Sequence, residues 1–138
     1  MKADFLDAHK RHWHDAELLF ETQRLANADH LYGMAAECGL KRLMRYFGMP
    51  YDEARDRPSQ GKDRVHANDI WERYESYRKG HQQGPGYALP ADNPFSDWEA
   101  DQRYAHRSFF EPARVTAHRH GAKMVLQLIN NALRDGLL

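Results

Sequence analysis

The segment from Asn27 to Met44, NADHLYGMAAECGLKRLM, constrains this chain more than any other. At about 100° per residue, Leu31, Tyr32, Ala35, Ala36, Gly39, Leu40, Leu43, Tyr46 and Phe47 sweep more than half the circumference of a helix. A helix apolar over so wide an arc has to be enclosed by neighbours on several sides. Gly33, Gly39 and the segment's alanines weaken helix propensity or side-chain burial unless a neighbour approaches closely there. One narrow edge is polar and carries His30, Glu37, Lys41 and Arg45. Such a segment specifies a fold, and the chemistry has to be sought around it.

The 138 residues suffice for one ordinary core, so a single domain over 1–138 is expected. The 20 Lys and Arg balance 20 Asp and Glu, so no long-range field draws the chain to nucleic acid or to an anionic membrane. Any nucleic-acid site has to be a local cluster. Cys38 is the only cysteine, which excludes an internal disulfide and a cysteine-cluster zinc site, and its apolar neighbours mark it as a core residue. Asp4, Asp7, Lys10 and Arg11 interrupt any apolar leader, and no run reaches the length of a membrane span. A cytoplasmic protein without membrane partners is expected.

A first helix is predicted over Asp4 to Leu25, with Phe5, Leu6, Trp13, Ala16, Leu19 and Phe20 on one face and His9 and His12 in the same stripe. Asn27 or Asp29 serves as cap of the second helix, which Gly48-Met49-Pro50 ends, and the two form an antiparallel hairpin. Residues 51–62 read as a mobile connection or a frayed turn. A third helix, capped by Asp63 or Asn68, presents a half-buried face of Ile70, Tyr74, Tyr77 and His81 beside Trp71. The proline- and glycine-rich stretch from Gln82 to Asn93 is a long loop. Ser96-Asp97-Trp98-Glu99 spells a capping box, stapled by Phe95, that opens a short helix to Arg107. Pro112 begins a last helix ending before Gly136, with Val115, Ala122, Val125, Leu126, Ile129 and Leu133 on one face and His118 in its midst. Without alternating strand patterns or repeats, the expectation is an all-α, up-and-down four-helix bundle with one additional short helix.

Nine histidines raise the question of chemistry. His9 and His12, one turn apart, could meet a metal with Glu37, but no Glu-x-x-His pair recurs as a di-metal bundle requires, so no metal or other cofactor is expected. Glu37 and Lys41 stand at the favourable i, i+4 spacing of a surface ion pair. Trp98, Arg103, Tyr104, His106 and Arg107 form the densest polar and aromatic cluster, suited to bidentate phosphate contacts and base stacking, although interhelix packing uses the same residue types. On the last helix Arg114 precedes His118 and His120. Arg114 and His118 project to similar angles, and His120 lies about 120° away. An arginine with a histidine can cut RNA without metal, the imidazole moving a proton and the guanidinium steadying the phosphorane charge. The alternative makes His118 a satisfied core histidine.

The order of elements, the second helix HLYGMAAECGLK from His30 to Lys41 and the basic, histidine-bearing final helix together resemble the HEPN superfamily of small prokaryotic helical domains. The resemblance implies a helical bundle that homodimerises. It acts either as a metal-independent endoribonuclease of toxin-antitoxin or defence type, or as a non-catalytic RNA- or nucleotide-binding companion of a nucleotidyltransferase. The family's active-site pattern is an arginine followed, after a short spacer, by a histidine. Arg114 and His120, with five residues between them, match it, and Val115 stands where the pattern has a polar residue. The resemblance thus implies Arg114 as phosphate stabiliser and His120, or else His118, as acid or base, with Arg103 and His106 as neighbours.

Overall fold

The computed structural model describes residues 1–138, and its fold is all-α apart from one very short hairpin. Helix α1 (Phe5–Glu21) starts where the Asp4 carboxylate accepts the backbone N–H groups of Leu6 and Asp7, satisfying two of the donors a helix leaves free at its start. It stops short of Leu25 because Gln23 adopts a left-handed φ of 61°, which breaks the helical path. Helix α2 (Leu25–Tyr46) then begins earlier than its expected caps. Arg24 occupies the cap position without a side-chain bond, so neither Asn27 nor Asp29 caps it, and Asp29 instead lies inside the helix on its buried side.

Helix α2 packs against α1, against α3 (Ala67–Lys79) and against α4 (Pro112–Arg134). Its glycines mark the closest approaches. A Cβ on Gly33 would stand 2.1 Å from Cε2 of Trp98, and one on Gly39 would stand 2.6 Å from Cγ1 of Val125 and 2.7 Å from Nδ1 of His9. The indole of Trp98 and the ring of His9 therefore rest on helix backbone, and the His9 Nδ1–H donates to the Ala35 carbonyl at 2.8 Å. The polar edge is covered too. Glu37 and Lys41, expected at the surface, are buried because the start of α3 lies over them, with Lys41 Nζ 2.6 Å from Glu37 Oε1 and His66 Nδ1 3.0 Å from Oε2. Glu17 ties the remaining helices, receiving both Nε and Nη2 of Arg119 and the Tyr32 hydroxyl. Burial pushes the Cys38 thiol up to about 12, as befits a small core residue.

Residues 51–62 are not a free connection: they hold a hairpin and enter a single 3-10 turn (Gly61–Asp63). Strands β1 (Tyr51–Asp52) and β2 (Arg57–Pro58) pair antiparallel across a turn in which Asp56 takes a φ of 52° and accepts from the Tyr51 hydroxyl and the Ala3 N–H. The expected cap Asp63 is buried and receives Arg73 and Tyr77, so α3 starts after His66 without a side-chain cap. Helix α3 ends at Lys79, before His81, and its Ile70, Trp71 and Tyr74 are fully buried. The loop after it is held to α3 by Tyr74 to the Tyr87 carbonyl, Trp71 to the Pro90 carbonyl and Leu89 N–H to Glu75. Ser96 to Glu99 do not open a helix. Residues 94–97 turn, and the capping box falls three positions later, Glu99 with Gln102, opening a 3-10 turn (Ala100–Tyr104) that a second one (Arg107–Phe109) follows. Pro112 does open α4, which runs to Arg134 with Gly136 at a φ of 76° beyond it. No helix is long and apolar enough to cross a membrane.

Replacing Gly33 by alanine forces the Trp98 indole off α2 and is expected to cost about 1–3 kcal/mol. Gly61→Ala, where an added Cβ meets nothing within 4 Å, is the control. Denaturant midpoints measured side by side test this, and equal midpoints for the two variants would refute the close-approach argument.

Candidate functional site

The most elaborate polar arrangement centres on Asp29, a carboxylate with no solvent exposure in the second turn of α2, on its buried side. Its Oδ1 is 2.6 Å from His118 Nδ1, and its Oδ2 accepts from Gln102 Nε2 at 2.6 Å and lies 3.6 Å from Arg114 Nε. Its main-chain carbonyl accepts the Trp98 indole N–H at 3.1 Å. Each partner is delivered by a local feature of the sequence. Pro112 fixes the start of α4, which puts Arg114 in the first turn and His118 one turn on, over the same face. The Glu99 and Gln102 capping box aims the Gln102 amide at Asp29. Asn93 holds the turn before it, its amide on the Ala67 and Asn68 carbonyls and its Oδ1 accepting the Phe95 N–H.

That turn brings Asp97 over the end of the imidazole. His118 Nε2 is 2.8 Å from Asp97 Oδ1, Arg114 Nη1 is 3.0 Å from Oδ2, and Arg114 Nη2 donates to the Asp97 carbonyl and to Gln102 Oε1. The His118 ring, almost wholly buried, also stacks on Phe95 with centroids 5.3 Å apart. Burial alone would lower the His118 pKa, but hydrogen bonding to Asp29 and its charge, with Asp97 behind, reverse this and leave it raised. Burial likewise works against ionised Asp97, yet the bond to His118 and the cations beside it hold its carboxyl below the ordinary range. Both imidazole nitrogens face carboxylate oxygens, so both carry protons, and in this arrangement His118 is a charged donor rather than a base.

The remaining candidates separate. Trp98, expected to stack on a ligand, is fully buried between Gly33 and the His30 ring, so it serves packing and offers no free face. Arg103, Tyr104, His106 and Arg107 are all exposed. The Arg103 guanidinium sits 4.6 Å above the Tyr104 ring. Arg107 also lines a cleft of about 390 Å³ with Gln23, Arg24, Leu25, Ala26, Asn27 and Phe110. Arg114 shares its partners with His118, whereas His120 is exposed on α4 and takes part in no hydrogen bond with Asp29 or Asp97. No group of three or more His, Cys, Asp or Glu side chains is arranged to hold a metal ion; His9 gives its Nδ1–H to the Ala35 carbonyl, and its buried Nε2 has no hydrogen-bond partner. Sequence reasoning missed Asp29 and Asp97. For Asp29 a signal existed, since it occupies the first place of an i, i+3, i+4, i+7 stripe with Tyr32, Gly33 and Ala36. Comparison with protein-family models, with curated proteins and with solved structures yields no match.

Two outcomes follow from the buried charges. Asp29→Asn removes the negative charge that faces His118 and Arg114 and is expected to destabilise the fold by about 3–5 kcal/mol, read from urea midpoints; a loss below about 1 kcal/mol would show the pair to be dispensable. His118, with its pKa raised above 6.5, contributes its stabilisation in full below that value and loses it as pH rises through the higher folded value. Asp97, lowered from 3.8, contributes above that value and loses its part as pH falls through the lower folded one. The urea midpoint of the wild type is therefore expected to decline as the pH rises above 6.5. His118→Gln should show none of that decline, and identical alkaline slopes for the two proteins would contradict the assignment.

Proposed function

We propose that this chain is a HEPN-like RNA- or nucleotide-binding protein that recognises its ligand through the exposed segment from Arg103 to Phe109. The observation that carries the reading is that all seven of these residues are exposed, including two large aromatics, Tyr104 at 77% and Phe109 at 70%. Exposed aromatic rings beside arginines supply stacking worth about 1–3 kcal/mol per base together with phosphate contacts. The cleft lined by Arg24 and Arg107 extends the basic surface toward the start of α2. Local clustering of this kind suits a chain of zero net charge, in which no global field attracts a polyanion. On this reading the all-α fold is an up-and-down four-helix bundle that homodimerises, and a nucleotidyltransferase is the corresponding partner protein. Support for the bundle comes from α2 packing against α1, α3 and α4.

The test is anisotropy of a labelled mixed-sequence single-stranded RNA over a salt series. Wild type is expected to bind, and Arg103→Ala with Arg107→Ala to weaken binding and to flatten the log–log salt slope by about 1.4. Unchanged affinity and slope in the double variant would overturn this surface as the site.

A second reading, metal-independent endoribonuclease, is favoured by one observation: Arg114 and His118 converge on the same carboxylate of Asp97. Here Arg114 steadies phosphorane charge and His118 acts as acid, or His120 from the exposed side of α4 as acid or base. Cleavage of the mixed RNA in EDTA by wild type, absent in Arg114→Ala and in one of the histidine variants, is the expected result. Retained cleavage in Arg114→Ala would sink it.

A further inference from the structure

We propose that the Asp97 carboxylate is an internal plug seated in an oxyanion site built by His118 and Arg114, a site that takes a phosphate-type oxyanion once Asp97 withdraws. The geometry is that of a bridged anion. One carboxylate oxygen lies 2.8 Å from His118 Nε2 and the other 3.0 Å from Arg114 Nη1, so two cationic donors on successive turns of α4 grip the two oxygens of one group. Two adjacent oxygens of a phosphate or phosphodiester present the same pair of acceptors.

Neither donor depends on the plug for its position. The imidazole is held from behind by Asp29 at 2.6 Å and stacked against Phe95. The guanidinium is held by the Asp97 main-chain carbonyl at 2.8 Å and by Gln102 Oε1 at 3.0 Å. Withdrawing the side chain would leave both donors aimed at an empty position. Charge points the same way. Asp29 and Asp97 together neutralise His118 and Arg114, so without the Asp97 carboxylate one positive charge stays uncompensated beside a wholly buried carboxylate. The plug itself is built to leave. Its side chain is 61% exposed, it has no side-chain partners beyond His118 and Arg114, and it sits on a turn rather than in a helix. His118 is only 1% exposed, so an oxyanion reaches the imidazole only through the space Asp97 fills.

The site is distinct from the exposed segment at 103–109 and is the Arg114–His118 pair of the endoribonuclease reading, whose occupancy by Asp97 it explains, but it rests on neither RNA binding nor cleavage. In the wild type a ligand has to displace the carboxylate, which lowers its apparent affinity by the fraction of time the plug is out. The experiment titrates inorganic phosphate and, in parallel, dimethyl phosphate into wild type, Asp97→Ala and Asp97→Ser at constant ionic strength, following the His118 ring resonances and the melting temperature. In the Asp97 variants the ring resonances are expected to shift saturably, with an affinity about tenfold or more above that of wild type. Melting is expected to rise by about 4 °C at ten times the dissociation constant. Adding Arg114→Gln should abolish both responses. A response to dimethyl phosphate assigns the site to phosphodiesters, and a response to inorganic phosphate alone assigns it to free phosphate or phosphomonoesters. Equal responses in wild type and folded Asp97 variants, or none in either variant, would overturn the proposal; the serine substitution keeps it testable if alanine disturbs the turn.

Discussion

A carboxylate wholly removed from water is tolerable only if its charge is balanced and both its oxygens find donors, because an uncompensated buried ion costs several kcal/mol. Asp29 meets that condition with partners drawn from far along the chain: His118 and Arg114 from α4, the Gln102 amide from the 3-10 turn and, at its own carbonyl, the Trp98 indole. The segment between α3 and α4, which has little regular structure, is thereby fixed to the central helix. Turn, 3-10 turn and last helix all acquire their register from one side chain.

The same central helix imposes a steric condition. At Gly33 and Gly39 there is no room for a methyl group, since Trp98 on one side and His9 with Val125 on the other occupy that space. Close approach and buried polarity therefore act together: the glycine that admits the Trp98 ring lies one turn beyond the aspartate whose carbonyl receives its N–H. Density of packing, which makes interiors sensitive to single methyl groups, is concentrated along α2.

The sequence carried much of this in its periodicities and little of it in its acids. The wide apolar arc and small residues of α2 foretold a helix enclosed on several sides, and Pro112 foretold the start of α4, because both signals are local. Glu37 and Lys41 looked like a surface pair since spacing reports neighbours on one helix and is blind to another element, here the start of α3, lying over them. Trp98 read as a ligand platform for the same reason: an aromatic beside arginines has the same composition whether it faces solvent or Gly33. Ser96 and Glu99 spell a valid capping box, a pattern that loses to a turn held by Asn93. Of the site, Arg114 and His118 were legible as a pair on one face. Of Asp29 only its place on the buried stripe was legible, and Asp97 was not legible at all, because what makes them matter is pairing across 89 and 21 positions of chain.

Cys38 offers a different kind of consequence. Its thiol is buried in α2 and is held protonated well above neutrality, whereas attack on a labelling reagent requires an accessible thiolate. The only cysteine of the chain thus acts as a clock for internal opening. Whenever α2 parts from its neighbours the sulfur becomes reactive, and when they close it falls silent, so a single modification rate counts excursions of the element on which every other helix rests.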